Sequence, residues 1–492
     1  MSLDSPPCIV LGAGLAGLSA ALALARAGRE VVLLEAADTV GGCCSNAQVE
    51  GCTFNNGAVY VAVPSLLRRA FGELGLDFDA EVPLAPIVHP HETHLDDGAV
   101  VHLGALDAAR VEGPGGRTRT ALLRDGLRAM QRDWQPLYRC LLDEILPFEP
   151  SLPRTLARLW RYLPKLAGRA DRAIGRYFPD PALRAAVASI LLYTGTAPQR
   201  LPASQLIGLV ALLEEGFHLP RTGMGAIAAA LHRALLAAGA TVRCGCRVER
   251  IEVRQGAVAA VVLPGGERIP ARDVIATCAG FAVVERLLPP QDVPRALRRT
   301  ARRAPLSHRA IAVQLAGRFE PPSGAFIVNH VPDMERQGEL HRAAGASARW
   351  LSWTAPTTVL PGLAPAGTTI IETYAPVSGI ARADDWTPAM TGQALEWHLA
   401  GLHARLPGLK VETLRTLDPR DFADRHHLYE GALYGIAPGA APDRYFPHRT
   451  PLPGLFLAGQ TTFPGFGVPA AMYSGLQAAG ALLAMKGDAG AK

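Results

Sequence analysis

The hydrophobic pattern at the start of the chain changes from strand to helix and back to strand within thirty-five residues. The apolar run Cys8 to Leu11 is typical of a buried parallel strand, and an Ala/Leu-rich helix is predicted from there to about Ala27. Val31 to Leu34 predicts a second buried strand, with Glu35 at its carboxyl end. This order of elements predicts a βαβ unit in a doubly wound α/β fold.

A glycine-rich turn with the spacing Gly-x-Gly-x-x-Gly joins the first strand to the helix. Gly12 permits the tight turn, Gly14 lets backbone N–H groups approach a pyrophosphate, and Gly17 lets the helix pack close to the strand. The helix N-terminus presents partial positive charge to the phosphates. Glu35 follows at the spacing, about 20 residues, at which an acid accepts hydrogen bonds from an adenosine ribose. The unit therefore predicts a dinucleotide site.

A second Gly/Pro-rich loop lies near the end of the chain. Gly454 to Gln460 predicts a strand that ends in a glycine, and a small-residue helix is predicted over 470–484. The loop between them, Thr461 to Pro469, would place backbone N–H groups and a helix N-terminus around an anion. Two such cradles suggest one long, doubly anionic dinucleotide.

Between these ends, segments with helical periodicity alternate with segments of β-type alternation. Residues 106–219 are mostly helical by periodicity, and 308–417 alternate in the β manner with one helix near 391–406. After a helix at 223–239, short strands that can extend the nucleotide-binding sheet are predicted at 240–244, 248–253, 258–263 and 273–277.

Composition restricts the possible classes of protein. The 492 residues exceed the usual limit of about 250–300 for a single core, so two or three subdomains are expected. A hydrophobic content of 49% fits a globular chain, and a net charge of +5 does not indicate nucleic acid binding. We see no secretory signal pattern and no apolar run of about 20 residues. We therefore expect a cytoplasmic protein, soluble or at the inner face of the membrane.

The eight cysteines and a group of histidines raise the question of a metal site. Cys244 and Cys246 have no second pair at zinc-site spacing, and adjacent Cys43 and Cys44 are expected to be small buried thiols. His89, His91, His94 and His102 fall on a predicted hairpin, whose polar face they are expected to form. No metal is expected.

A basic amphipathic segment spans residues 154–178. Its cations recur every three or four residues and fall on one helical stripe: Arg154, Arg158, Arg161, Lys165, Arg169, Arg172 and Arg176. Apolar residues lie on roughly the opposite face: Leu156, Leu159, Leu163, Leu166, Ile174 and Tyr177, flanked by Trp160 and Phe178. The pattern suits contact with an anionic bilayer. The alternative is a solvated helix on the core, and Pro164 and Gly168 would kink or break a continuous helix.

Five stretches carry a resemblance to a known family: GAGLAGLSAALALARAGREVVLLEAADTVGGCCSN, GCTFNNGAVYV, PRTGMGAIAAAL, TVRCGCRVERI and GLFLAGQTTFPGFGVPAAMYSGLQAAG. They occur in the order seen in the carotenoid and retinoid oxidoreductases, which include phytoene desaturases, carotenoid isomerases and retinol saturases. That group is similar to the flavoprotein class that also holds monoamine oxidases and Rab escort proteins. The resemblance implies an FAD cofactor.

The resemblance also implies a role for individual residues. The glycine turn would hold the FAD pyrophosphate, Glu35 would bind the adenosine ribose, and Val248 would contact adenine through its backbone. Gly41 to Cys43 would line the phosphates. Gly459 and Gln460 would lie by the ribityl phosphate, and Gly467 and Val468 at the flavin ring. The cofactor-binding set is thus Gly12, Ala13, Gly14, Leu15, Ala16, Gly17, Glu35, Ala36, Gly42, Cys43, Val248, Gly459, Gln460, Gly467 and Val468.

The implied fold is a Rossmann-type FAD-binding domain in the α/β class, with an interleaved α+β substrate domain and a helical lid or membrane-contact region. The FAD-binding domain would comprise 1–80, 220–307 and 418–492. The substrate domain would comprise 81–105 and 308–417, and the helical region 106–219. Peripheral membrane contact is expected through 154–178.

The implied activity is carbon–carbon desaturation of a long apolar isoprenoid polyene by hydride transfer to flavin. Cys43-Cys44 is more similar to the saturase pattern, so isomerisation and saturation remain alternatives. A flavin amine oxidase would favour an aromatic pair facing the flavin, which neither 435–439 nor 463–467 indicates. A prenyl carrier of the escort type would lack flavin. No catalytic residue is assigned.

Overall fold

The computed structural model describes residues 6–321, 323–331, 351–377 and 379–487. Its strands are β1 (Cys8–Leu11), β2 (Val31–Leu34), β3 (Asn46–Val49), β4 (Cys52–Asn55), β5 (Leu84–Pro86), β6 (His91–His94), β7 (Val100–Leu103), β8 (Arg110–Glu112), β9 (His218–Pro220), β10 (Thr241–Arg243), β11 (Arg250–Arg254), β12 (Ala257–Val262), β13 (Arg268–Pro270), β14 (Asp273–Ala276), β15 (Arg309–Gly317), β16 (Ile327–His330), β17 (Leu351–Thr354), β18 (Thr369–Val377), β19 (Val411–Leu417) and β20 (Leu455–Leu457). Its α-helices are α1 (Leu15–Arg26), α2 (Pro64–Glu73), α3 (Phe78–Glu81), α4 (Gly116–Cys140), α5 (Leu152–Leu159), α6 (Leu163–Leu166), α7 (Ala170–Gly175), α8 (Pro181–Ser189), α9 (Ile207–Glu215), α10 (Gly225–Ala237), α11 (Gly280–Ala282), α12 (Arg295–Arg303), α13 (Pro388–Arg405), α14 (Pro419–Asp424) and α15 (Val468–Gly487).

A five-stranded parallel sheet in the order β10-β2-β1-β14-β20 forms the first layer. Both faces of this sheet are buried, which explains its continuous apolar runs. Val10, Leu33 and Ile275 point into the core shared with α1, α10 and α15. Ile9 and Val274 point into a second core, which lies under the sheet β11-β12-β13. The predicted βαβ unit at the start of the chain is confirmed.

Helix α15 packs closely along α1. A Cβ atom at Gly475 would lie 2.1 Å from the carbonyl oxygen of Ala16, so the backbones approach as only glycine allows. Within the described residues, the Val468–Met485 part of α15 is the one helix long and apolar enough to cross a bilayer. Its packing on α1 is that of a core helix.

An eight-stranded mixed sheet in the order β19-β15-β18-β17-β16-β6-β7-β8 forms a second unit. Strand β6 pairs in parallel with β16, which joins the early hairpin to strands more than 200 residues later. The boundaries given above for the FAD-binding domain, the substrate domain and the helical region remain predictions.

The predicted hairpin of histidines is present as β6 and β7, but its four histidines do not share a polar face. His91 points inward and is only 2% exposed, with Nε2 2.6 Å from the Asn329 side chain. His94 and His102 lie on the opposite face beside Glu92. The prediction was wrong for His91 because α8 packs on its face of β6: Thr93, two residues along on the same face, lies 3.3 Å from Ser189 of α8. Among residues that the structure describes, no group of His, Cys, Asp or Glu is arranged to hold a metal.

The basic segment is not one helix, so the single stripe predicted from periodicity was wrong. It divides into α5, a 3₁₀ turn at Trp160–Tyr162, α6 and α7, with Arg169 in an extended conformation between the last two. Pro164 lies within α6 and Gly168 follows it, at the positions where a break was expected. The later half packs inward: Ile174 and Phe178 are fully buried.

Candidate functional site

The glycine turn after β1 has two glycines that the fold requires and one that faces open space. Gly12 has a φ of +99°, and a Cβ at Gly17 would lie 1.8 Å from the carbonyl oxygen of Gly12. At Gly14 a Cβ would meet no described atom within 4 Å. The turn is therefore packed tightly against its own helix but open on the side of Gly14.

The N-terminus of α1 opens onto the same space. Among the described residues, no side chain caps the helix, so its first-turn amides at Leu15, Ala16 and Gly17 are available to a ligand. The loop before β3 lies alongside: the Gly41 N–H donates to the Ala13 carbonyl at 2.8 Å. A Cβ at Gly42 would lie 3.4 Å from the Gly14 Cα. Two glycine-rich backbones thus form one anion cradle.

Glu35, directly after β2, stabilises the glycine turn that follows β1. Its buried carboxylate accepts hydrogen bonds from the N–H groups of Ala13 and Ala37. Residues 243–246 run beside it, since the Glu35 N–H donates to the Arg243 carbonyl and the Cys246 N–H to the Glu35 carbonyl. Ala36 directly follows the acid that is predicted to bind ribose, and Val248 lies two residues after segment 243–246, packed against the second core.

The second cradle lies at the end of β20. Gly459 has a φ of +97°, and its N–H donates to Ser474 Oγ on α15 at 2.8 Å. Gln460 packs against Gly435, where a Cβ would lie 2.8 Å from Gln460 Cγ. Gly467 precedes Val468 at the start of α15, and a Cβ at Gly467 would meet no described atom within 4 Å.

Thr277 joins the two cradles, and sequence reasoning did not identify it. It follows β14, and its hydroxyl donates to the Leu11 carbonyl at 2.8 Å. A Cβ at Gly12 would lie 2.6 Å from Thr277 Oγ1, and one at Gly459 would lie 2.7 Å from the Thr277 carbonyl oxygen. Because β1, β14 and β20 are neighbours, their carboxyl ends bring both loops to one edge of the sheet, where α/β folds bind nucleotides.

Cys43 lies beside this edge as a neutral thiol. Burial raises the pKa of Cys43 to about 11 and that of Cys44 to about 12. Both thiols are free in the structure. They are therefore protonated at neutral pH and poor nucleophiles. Cys44 is buried, as expected from the sequence, whereas Cys43 is half-buried.

An aromatic pair stands next to the second cradle. The Tyr434 and Phe466 rings stack with centroids 4.2 Å apart, and the Tyr434 hydroxyl donates to the Tyr193 carbonyl. The sequence did not reveal this pair, because Tyr434 lies one residue before the segment 435–439 and far from Phe466 along the chain. Two rings in contact leave no slot between them for a substrate amine.

A buried polar network connects the second sheet to the loop after β4. The Glu372 carboxylate is 1% exposed and accepts hydrogen bonds from the Asn55 backbone and side chain and from Gln314. Arg415 donates to the side chains of Gln314 and Asn56. Burial raises the pKa of Glu372 from 4.5 to about 7, against the opposing effect of these donors.

This raised pKa gives a pH-dependent stability. A carboxyl that holds its proton more tightly when folded stabilises the protein fully below pH 4.5, and that contribution is lost as pH rises to about 7. We expect the free energy of unfolding to fall by about 3 kcal/mol through this group between pH 4.5 and 8. Glu372→Gln should flatten that slope in denaturant titrations at several pH values. An unchanged slope in the variant would contradict the assignment.

These residues define the class: a two-cradle, doubly wound dinucleotide-binding fold of the kind found in flavoprotein oxidoreductases. The chain belongs to the family described as flavin containing amine oxidoreductase, whose model matches residues 15–483. It is an FAD-dependent oxidoreductase, and the predicted cofactor and FAD-binding α/β fold are confirmed, while the helical lid or membrane-contact region stays a prediction. The open positions at Gly14 and Gly467 fit the group, whose reactive ring the residues near Gly467 would hold.

The chain is also similar to individual proteins and solved structures. It is 30% identical to a phytoene dehydrogenase of Streptomyces griseus, over 96% of this chain and 94% of the relative. It is also 30% identical to a hydroxyneurosporene desaturase of Rubrivivax gelatinosus, over 97% and 93%. The crystal structure of an oxidoreductase from Methanosarcina mazei matches with a TM-score of 0.65 and 17% identity, over 96% of this chain and 99% of that one. The resemblance to carotenoid oxidoreductases is confirmed, while the roles of individual site residues remain predictions.

Proposed function

We propose that the protein desaturates a long apolar isoprenoid polyene. The observation that carries this is the near-full-length similarity to enzymes named phytoene dehydrogenase and hydroxyneurosporene desaturase, in a chain that retains both cradles. Bound FAD would supply the hydride acceptor, so the protein must hold an apolar carbon chain beside it and exclude water.

Interior aromatic rings support an apolar substrate. Tyr60 stacks on Phe217 with centroids 4.1 Å apart and meets the edge of Phe326. Burial raises the pKa of Tyr60 to about 12, so its ring is uncharged at neutral pH. Together with Tyr434 and Phe466, these rings offer apolar walls on which a polyene can lie.

Two alternatives are disfavoured by particular observations. An amine oxidase needs space for an amine between aromatic rings, which the stacked Tyr434 and Phe466 do not leave. A prenyl carrier without flavin has no need of glycines held open at Gly14 and Gly467. Isomerisation and saturation of the same substrate class use the same site and remain the second candidate.

The substrate class can be tested directly. We expect the FAD-loaded protein to convert a C30 or C40 polyene presented in vesicles, and to leave aliphatic and aromatic amines untouched. Product extraction with chromatography, and a peroxide assay with amines, measure the two outcomes. Peroxide formed from amines, with polyenes unchanged, would overturn the proposal.

The proposal includes peripheral contact with the inner face of a membrane, where such a substrate dissolves. Four large apolar side chains are exposed close together in sequence: Phe148, Leu156, Trp160 and Leu163, the last three at 48%, 67% and 46%. Of this apolar patch, Leu156, Trp160 and Leu163 lie in the first half of the segment expected to touch membrane, and Phe148 lies just before it. Tryptophan and leucine beside arginine are typical of interfacial contact.

The cations of that segment contribute less than the sequence suggested. Arg158 pairs with Glu144, Lys165 with Asp133, and Arg169 with Asp171. Acid partners neutralise these charges locally, so attraction to an anionic surface must come largely from other residues.

A further inference from the structure

Helix α12 carries a concentrated positive charge that the proposed function leaves unexplained. Its five arginines are Arg295, Arg298, Arg299, Arg302 and Arg303, all exposed. At 100° per residue they fall within an arc of about 140°. A groove of about 300 Å³ is lined by these five side chains. We call this surface the arginine face.

The opposite side of α12 fixes the helix to the protein. Leu297 is fully buried in the core that lies under the small sheet. The arginine face is therefore held outward by packing and is not free to turn towards acids elsewhere. This argues that its orientation is built into the fold.

The arginine face lacks the acid partners that arginines have elsewhere. Arg119, Arg243 and Arg286 each pair with one or two carboxylates. None of the five arginines of α12 makes an ion pair with an acid in the described part of the chain. Like charges three and four residues apart destabilise a helix. The spacing of these arginines therefore destabilises α12 unless an anion binds to them.

Contacts connect the arginine face to the region of the apolar patch. Arg444 donates to the Arg303 carbonyl at the end of α12. A Cβ at Gly439, five residues earlier, would lie 2.5 Å from Pro202, and Pro202 bridges to Arg169 just after α6. These contacts lead from the end of α12 to the turn that follows α6, the helix in which Leu163 of the apolar patch lies.

We propose that the arginine face binds the phosphate headgroups of an anionic lipid bilayer and docks the enzyme while the apolar patch inserts. This rests on the proposed function, because a polyene is available only from the bilayer. Guanidinium groups match phosphate geometry, and each cation near an anionic surface adds to the attraction. A soluble polyanion would not account for the exposed tryptophan and leucine side chains of the apolar patch.

The test is vesicle binding by the full, FAD-loaded protein. Arg298→Gln, Arg299→Gln and Arg302→Gln together should weaken binding to phosphatidylglycerol vesicles on the order of 100-fold at low salt. The loss should shrink at high salt, where charges are screened. Binding to phosphatidylcholine vesicles should not change, whereas Trp160→Ser with Leu163→Ser should weaken binding to both.

Matched controls separate the arginine face from net charge and from folding. Arg250→Gln, Arg254→Gln and Arg268→Gln remove the same three charges from the small sheet and should leave binding unchanged. Arg→Lys at the three α12 positions should retain most of it. Equal losses in both Gln triples, or tight binding of inorganic phosphate or nucleic acid with no vesicle binding, would overturn the inference.

The outcome is distinguishable from failure of the proposed function. Detergent-solubilised polyene reports on the reaction without a membrane, and the α12 triple variant should convert it at the wild-type rate. If the wild type converts no polyene in detergent, the proposed function fails. If it does so but the arginine face has no effect on anionic vesicles, only this inference fails.

Discussion

A Gly14→Glu variant is expected to fold normally and to be colourless. Gly14 has ordinary extended backbone angles, with φ −70° and ψ 177°, and a Cβ there meets nothing within 4 Å among described atoms. The new side chain therefore costs the apoprotein little but occupies the pyrophosphate path and adds negative charge there. Flavin absorbance should fall below a tenth of that of the wild type. The midpoint of unfolding should match that of the wild-type apoprotein.

Gly17→Ala provides the contrast, because the two glycines have different surroundings. Its Cβ would lie 1.8 Å from the Gly12 carbonyl oxygen, so α1 must move away from β1. Overpacking of this kind typically costs about 1–3 kcal/mol. We expect low stability with or without FAD. A stable Gly17→Ala protein, or a yellow Gly14→Glu protein, would contradict this account of the cradle.

Glu35→Ala is expected to weaken FAD binding on the order of 10- to 100-fold, since a hydrogen bond to a charged group contributes about 1.5–3 kcal/mol. The carboxylate also accepts from Ala13 and Ala37, so its loss leaves buried amides without that acceptor. The apoprotein should lose about 1–3 kcal/mol of stability as well.

The measurements for Glu35 are flavin fluorescence titration of the apoprotein and denaturant unfolding. Glu30→Ala is a suitable control because Glu30 is exposed just before β2. Both quantities should remain at wild-type values in the control. A Glu35→Ala protein with unchanged FAD affinity would show that the acid serves only the turn.

Local sequence determined the parts of the site that depend on local geometry. The turn from Gly12 to Gly17 follows from residue spacing, because a tight turn and a close helix need glycine wherever they occur. Strands β1 and β2 have the predicted bounds because both are apolar on both faces. The cradle at Gly459 could be predicted because the tight turn after β20 also requires a glycine.

Long-range contacts account for what the sequence did not reveal. Thr277 joins two loops that are hundreds of residues apart, and no spacing rule points to it. His91 faces inward because α8 packs on its face of β6, where Thr93 contacts Ser189, and because β16 places Asn329 beside it. Tyr434 and Phe466 meet only when the loops around them fold together. For the basic segment the error was of another kind. The regular spacing of its cations predicted one continuous helical stripe, but the helix is broken around Pro164 and Gly168.

The most direct test of the central claim is a single anaerobic turnover without an added electron acceptor. The FAD-loaded protein is mixed with enough of a C30 or C40 polyene to saturate it. Flavin absorbance and product mass are then followed together. Desaturation predicts loss of the oxidised-flavin absorbance and one product molecule per flavin that lacks two hydrogens. An isomer of unchanged mass with the flavin still oxidised, or a product formed only when the flavin starts reduced, would contradict it.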